Sequence, residues 1–224
     1  HTMRYKCLVL DHDDTVVNST AVIHFPSFLA YLARVRPGTA YTLDEYFRKN
    51  FEPGIIPLFK DELGFTDEEL DGEYAFWQEY VKTRVPMAYP GMREILQRFH
   101  DAGGVITVVS HSVSGYILRD YRENGLPEPD AVFGWELPPE QRKPNPYPLE
   151  QIMQRFSLKP SELLMLDDLK PGYDMAQQCG VDFAAAGWAN DIPEIENFMR
   201  RYGKYYFKTV AEFGTFMEEN YEKH

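Results

Sequence analysis

The chain has 224 residues, 44% of them hydrophobic and 15% aromatic, which suits one large domain or a core with a smaller insert and argues against wholesale disorder. Its net charge of −12 disfavours a nucleic-acid or anionic-membrane binder, which needs a basic face, but leaves anionic small substrates open because a bound cation can invert the local field. With only Cys7 and Cys179 there is no disulfide framework, and with no leader-like segment or run of about 18 apolar residues a cytoplasmic, reducing location is expected.

His1-Thr2 before Met3 reads as a remnant of cloning. Cys7 to Leu10 is a short apolar run, as in a buried strand, and it stops at three acids, Asp11, Asp13 and Asp14. Clustered carboxylates repel one another and resist desolvation, so their place at a strand end implies a cation or a reaction that needs them. Open parallel sheets bind their ligands at that edge.

Residues 19–86 read as a helical insert. Phe25, Phe28, Leu29 and Leu32 form one stripe, and Leu70, Tyr74, Trp77 and Val81 another. Thr42/Glu45 and Thr66/Glu69 are spaced as capping boxes. The insert is either a decoration that fills out the core or a mobile cap over the acids. The cap is favoured because the insert starts directly after them, so two chain crossings there would form a hinge.

Residues 3–18 and 87–224 then alternate strand and helix. Val105–Val109, Leu163–Leu166, Phe183–Ala186 and Tyr205–Phe207 are the predicted strands. Met92/Ile95/Leu96/Phe99, Val113/Tyr116/Ile117/Tyr121, Leu149/Ile152/Met153/Phe156 and Val210/Phe213/Phe216/Met217 are helix faces, the last with a Thr209/Glu212 capping box. The expected fold is α/β, a Rossmann-like doubly wound parallel sheet with a small all-helical cap domain.

Asp11 and Asp13 are two apart in extended chain, so both point to one side. One can bind a cation and attack an electrophile while the other moves a proton. Asp167-Asp168 ends another strand, and such oxygen-rich sites suit magnesium. Ser110, at the end of Val105–Val109, offers a hydroxyl and following N–H groups to phosphate oxygens. Lys143 precedes a proline that restricts it, and a fixed cation there would neutralise nucleophile and phosphoryl group alike.

Asp11-His12-Asp13-Asp14-Thr15, Ser110, Lys143-Pro144-Asn145-Pro146 and Leu166-Asp167-Asp168-Leu169-Lys170-Pro171-Gly172 follow in order. They resemble the four motifs of the haloacid dehalogenase-like hydrolases, and Tyr89-Pro90-Gly91 resembles that family's return to the core. The resemblance spans essentially the whole chain. It implies Asp11 as nucleophile and Asp13 as acid and base. It implies Thr15, Ser110, His111 and Lys143 around the phosphoryl group. Magnesium would sit on Asp11, the main-chain carbonyl of Asp13, Asp168 and Asp167. The departures are Asp14 for Gly, Asn18 for Asp, Leu169 for Ser, and His111, whose side chain either does nothing or touches the leaving group and adds a pH dependence near neutrality.

Asp13 points to phosphate esters, since dehalogenases and phosphonatases of the family lack it. The expected activity is phosphatase on a small phosphorylated metabolite, as monomer or homodimer; phosphomutase is the alternative. A receiver-like phospho-accepting module lacks the insert and the Asp11/Asp13 spacing, and a non-catalytic relative would have lost key side chains. Arg48, Lys49, Lys60, Lys82 and Arg84 are the insert cations that could read a second anionic group.

Overall fold

A computed structural model describes residues 3–222; His1 and Thr2, read as a cloning remnant, lie outside it. In chain order the elements are β1 (Cys7–Leu10), β2 (Val17–Asn18), α1 (Phe25–Val35), α2 (Leu43–Phe51), α3 (Ile55–Pro57), α4 (Asp67–Lys82), β3 (Met87–Ala88) and α5 (Met92–Asp101). Then come β4 (Val105–Val109), α6 (Ser114–Glu123), β5 (Ala131–Phe133), α7 (Tyr147–Phe156), β6 (Leu163–Asp167), α8 (Lys170–Cys179), β7 (Asp182–Ala186), α9 (Pro193–Tyr202), β8 (Tyr205–Phe207) and α10 (Val210–Asn220). Wide π-type turns cover residues 20–24 and 58–62.

Six strands form a parallel sheet in the order β5-β4-β1-β6-β7-β8. The chain moves outward from β1 to β4 and β5, then crosses back to β6 on the other side of β1. That reversal opens a crevice at the carboxyl ends of β1, β4 and β6, where such sheets place ligands. Leu10 is in register with Val108 on one side and Leu166 on the other, so Asp11 emerges between the ends of both neighbours.

The two-residue period of β1 divides the core. Leu8 and Leu10 pack with Met92, Leu96 and Phe99 of α5, Ile117 and Tyr121 of α6, and Phe213 and Met217 of α10. Cys7 and Val9 face the other way, toward Leu149 and Ile152 of α7, Met175 of α8, and Ile195 and Met199 of α9. Helices therefore cover both faces, and the strand is fully buried, as its uninterrupted apolar run implies. The free thiol of Cys7 is buried and that of Cys179 half-buried.

Between β2 and β3 the chain is helical, with its own core of Phe28, Tyr31, Leu32, Tyr46, Leu58, Phe59, Leu63 and Phe65. Both capping boxes predicted there are reciprocal: Thr42 with Glu45, and Thr66 with Glu69. Two crossings of the chain, Val17–Asn18 and Met87–Ala88, pair as a small antiparallel ribbon. The helical part also touches the core through α2: Phe47 joins the β1/α7/α9 cluster, and Phe51 meets Phe198 edge-on at 5.3 Å.

Three readings from sequence differ from the structure. β2, β3 and β5 are strands without a sequence signal, since two or three residues carry no period. Thr209 accepts the N–H of Glu212, but the Glu212 carboxylate takes the N–H of Lys208, so the predicted box is only half made. The Leu70–Val81 stripe buries only Val81 fully, because α4 turns Trp77 toward the acidic site instead. Among the described residues no helix is long and apolar enough to cross a membrane.

Candidate active site

The carboxyl edge gathers the predicted side chains. The Asp11 carboxylate, 5% exposed, accepts from Lys143 Nζ at 2.8 Å and lies 3.1 Å from the Thr15 hydroxyl. Lys143 Nζ also donates to Asp167 Oδ2 at 2.9 Å. Thr15 Oγ1 lies 3.1 Å from Asp168 Oδ1 too, so one hydroxyl links the first and last motifs. Burial opposes charging of Lys143, but Asp11 and Asp167 outweigh it and raise its pKa. Asp11, though buried, is held below the usual carboxylate range by Lys143. Burial and the Asp11 charge raise Asp167 to about 7 and Asp168 well above normal.

Ligand oxygens of Asp11, Asp167 and Asp168 all lie within 4.8 Å of one another. Asp168 Oδ2 is buried without a hydrogen-bond partner. An all-oxygen donor set with one orphaned buried oxygen fits a hard divalent cation such as magnesium. The Asp13 carboxylate is not in this group.

Gly172 gives Asp167 its room. A Cβ there would stand 2.0 Å from Asp167 Oδ2. Where Leu169 replaces Ser, its main-chain N–H donates to Asp167 Oδ1 at 3.0 Å, so that acid keeps a donor.

Asp13 turns the other way. Its Oδ1 accepts from Ser19 Oγ at 2.8 Å and His24 Nε2 at 2.9 Å. The Trp77 indole N–H donates to His24 Nδ1 at 2.9 Å, leaving the ring proton on Nε2 for Asp13. Burial would raise the Asp13 pKa, yet His24 and Ser19 bring it below normal. Asp13 pulls the His24 pKa up against burial, while Trp77 occupies the lone pair a second proton would need.

A narrow cleft of about 10 Å³, room for little more than a water, opens beside Asp13, lined by Ile23, His24, Trp77, Val81, Arg84, Ser112, Tyr116, Arg119 and others. Of the five insert cations singled out above, only Arg84 lines it; Arg48 pairs with Glu194, and Lys49 with Glu62. A larger open groove along α5, bordered by Arg93, Arg98 and Asp101, shares no residue with the acids.

Ser110 follows β4, 3% exposed, and its Oγ accepts the N–H of Ser112 at 2.9 Å. His111 Nε2 donates to the Lys143 carbonyl at 2.7 Å, across a cis Lys143-Pro144 peptide. Burial of the ring and the Lys143 charge lower its pKa to about 4. Its side chain thus supports the lysine loop.

Asp14 takes a left-handed backbone, φ 63°, the conformation that favours glycine. Its carboxylate accepts from Thr20 N at 3.0 Å and from the Thr20 hydroxyl, tying down the start of the 20–24 turn that carries His24. Burial and Asp13 raise its pKa to about 6.

Four contributors carried no sequence signal of function. His24 and Trp77 are single residues on helical stripes. Trp188, on the loop after β7, donates Nε1–H to the Thr15 carbonyl at 3.1 Å. Asp120 meets His12 from 108 residues away at 2.8 Å. Only His12, polar at the end of a buried strand, could have been flagged.

The chain is 28% identical over 128 residues to phosphoglycolate phosphatase of Vibrio vulnificus, covering 56% of this chain and 54% of that one. It is 26% identical over 191 residues to the pyrophosphatase PpaX of Halalkalibacterium halodurans, covering 84% and 86%. The chain spans about half the length of the Vibrio relatives it matches. A Bacteroides fragilis structure assigned to the haloacid dehalogenase-like hydrolases superposes with a TM-score of 0.77 at 21% identity, over 93% of this chain and 99% of that one. The family model for haloacid dehalogenase-like hydrolases matches residues 8–186, and the chain belongs to that family.

Proposed function

We propose that the protein is a magnesium-dependent phosphohydrolase acting on a small phosphorylated metabolite. One observation carries this reading. Two aspartates of a single loop are held in opposite roles, Asp11 on Lys143 and Asp13 on Ser19 and His24 beside the cleft. A carboxylate neutralised by a fixed cation suits attack on phosphorus. One that faces the leaving group and is held by donors of its own suits proton transfer.

Asp11 attacks phosphorus and becomes an aspartyl-phosphate as the ester oxygen leaves. Asp13, whose free carboxyl is held ionised by His24 and Ser19 and which must therefore take up a proton as the anionic substrate binds, gives that proton to the leaving oxygen and then takes one from the water that cleaves the acyl-phosphate. Lys143 spreads positive charge over the nucleophile and the transferring group. Ser110 and the N–H groups after it hold phosphoryl oxygens, and Thr15 braces the loop. Asp11, Asp168 and Asp167, with the Asp13 carbonyl, would hold magnesium, which offsets acid repulsion and phosphate charge when bound. Residues 19–86 act as a cap that brings His24 and Trp77 to the site and excludes water from it.

The relatives' names point to small phosphate compounds, phosphoglycolate and pyrophosphate. Hydrolysis of p-nitrophenyl phosphate with magnesium, lost in excess EDTA and in Asp11→Asn at unchanged circular dichroism, is the expected result. Substantial turnover by folded Asp11→Asn would overturn the nucleophile assignment. Release of inorganic phosphate from a metabolite panel, as opposed to an isomeric ester, separates hydrolase from phosphomutase.

A further inference from the structure

His12, between the two aspartates, is fully buried. Its main-chain carbonyl is the hub of the loop, accepting the N–H groups of Thr15 at 3.3 Å, Val16 at 2.9 Å and Val17 at 3.3 Å. Its ring Nε2 donates to Asp120 Oδ2 at 2.8 Å, with the Asp120 side chain only 5% exposed. Both partners sit where a parallel α/β core normally packs apolar groups, and a buried polar pair is retained at a cost unless it specifies something.

The other oxygen of Asp120 leads outward. Asp120 Oδ1 accepts from Arg119 Nε at 3.1 Å and its terminal nitrogen at 2.9 Å. The remaining guanidinium donors hold main-chain carbonyls at the end of α4 and just beyond it: Val81 at 2.8 Å, Lys82 at 3.2 Å and Arg84 at 3.1 Å. One turn on, Asn124 donates to the Pro86 carbonyl at 2.9 Å and accepts the Ala88 N–H at 2.8 Å. α6 therefore grips residues 81–88, the stretch by which the helical part returns to the sheet. No substrate is needed for these contacts, and they consume the Arg119 fork.

We propose that Asp120, with His12 and Arg119, is a positioning relay that couples the Asp11–Asp13 loop to the return segment 81–88. The loop adopts its working geometry only when that segment is seated on α6. The coupling itself is independent of the function proposed above; its kinetic consequence rests on that reading. The small ribbon of Val17–Asn18 with Met87–Ala88 is a second physical link between the same parts, so the test must separate the two routes.

Hydrogen–deuterium exchange on the whole chain tests the coupling without any turnover. Arg119→Met leaves the loop side chains intact. It should raise exchange severalfold in peptides covering 81–88 and also in those covering 11–17. A rise confined to 81–88, or none, overturns the relay.

Kinetics with p-nitrophenyl phosphate and magnesium test the consequence. His12→Leu and Arg119→Met should each lower kcat about tenfold with KM changed less than about twofold, the scale that packed networks transmit. His12→Gln, which can still donate to Asp120, should return kcat to within about threefold. The double variant should lose about tenfold as well, because both changes cut one chain. A product near 100-fold would assign the effect to the ribbon and overturn the relay, as would failure of His12→Gln to restore kcat. If the parent shows no phosphatase turnover, the proposed function fails and the exchange data alone decide the relay; they also decide it if His12→Leu does not fold.

Discussion

Lys143 Nζ donates to Asp11 Oδ1 at 2.8 Å across 132 positions of sequence, and both groups are almost wholly buried. Its second partner, Asp167, is also buried. One ammonium thus offsets two carboxylates, with Asp168 close by. Such a cluster is costly when any one charge loses its partner.

Removing the ammonium should therefore act twice. Lys143→Met is expected to lower kcat by about 10²–10³-fold, the usual cost of losing a positioned charge stabiliser. It should also lower the thermal midpoint more in EDTA than in magnesium, because a bound cation offsets the acids left unpaired. Steady-state rates and melting curves under both conditions check it. An equal loss of midpoint in both would detach Lys143 from the cation site.

Gly172 should tolerate no side chain. In Gly172→Ala the new Cβ would meet Asp167 Oδ2 at 2.0 Å, so the carboxylate must move. The expected outcome is weaker magnesium affinity, with the half-saturating concentration raised at least about tenfold, as for changes to residues that orient metal ligands. Titration of the rate with magnesium reads it directly.

His111 should leave no mark on the pH profile. Its pKa is lowered to about 4 by burial and by Lys143, so the ring stays neutral from about pH 5.5 to 8. The shape of kcat against pH in His111→Gln should match that of the parent. His111→Ala, unable to hold the Lys143 carbonyl, should be slower by a similar factor at every pH. An inflection near neutrality present in the parent and absent in His111→Gln would instead restore contact with the leaving group.

The helical part has its own acid dependence. Arg36 pairs with Glu69 through both guanidinium ends, at 2.6 and 2.9 Å, while Glu69 closes the Thr66 capping box. Arg36 and the Thr66 N–H hold the Glu69 pKa at about 2, below its ordinary 4.5. A lowered folded-state pKa gives stability that is present above pH 4.5 and lost as the pH falls toward 2. Glu69→Gln should thus melt below the parent at pH 7, and the gap should narrow as the pH drops through that window. A gap independent of pH would assign the effect to capping alone.

Much of this was legible in the residues. β1, β4 and β8 lie where their apolar runs stand, and the helix faces read at 3.6-residue spacing are those that bury Leu96, Ile117, Ile152 and Phe213. Asp11, Asp167 and Asp168 stand at the ends of predicted strands and Lys143 before its proline; the acids meet at one edge because a parallel sheet aligns its carboxyl ends, and the loop before α7 carries Lys143 to them. Asp14 stands where the family motif has Gly; its backbone is left-handed, as a glycine would be there, but its carboxylate ties down the segment bearing His24.

Period and punctuation in the sequence determined the strands, the helix faces and the acids, because those follow from local conformation and burial. Only the tertiary structure decided which polar side chains meet. His24 and Trp77 reach Asp13 because the chain between β2 and β3 folds back over the sheet edge. His12 finds Asp120 because α6 lies against β1. Hydrogen bonds between residues far apart in sequence leave no periodic trace, since their partners are chosen by packing and not by neighbours along the chain.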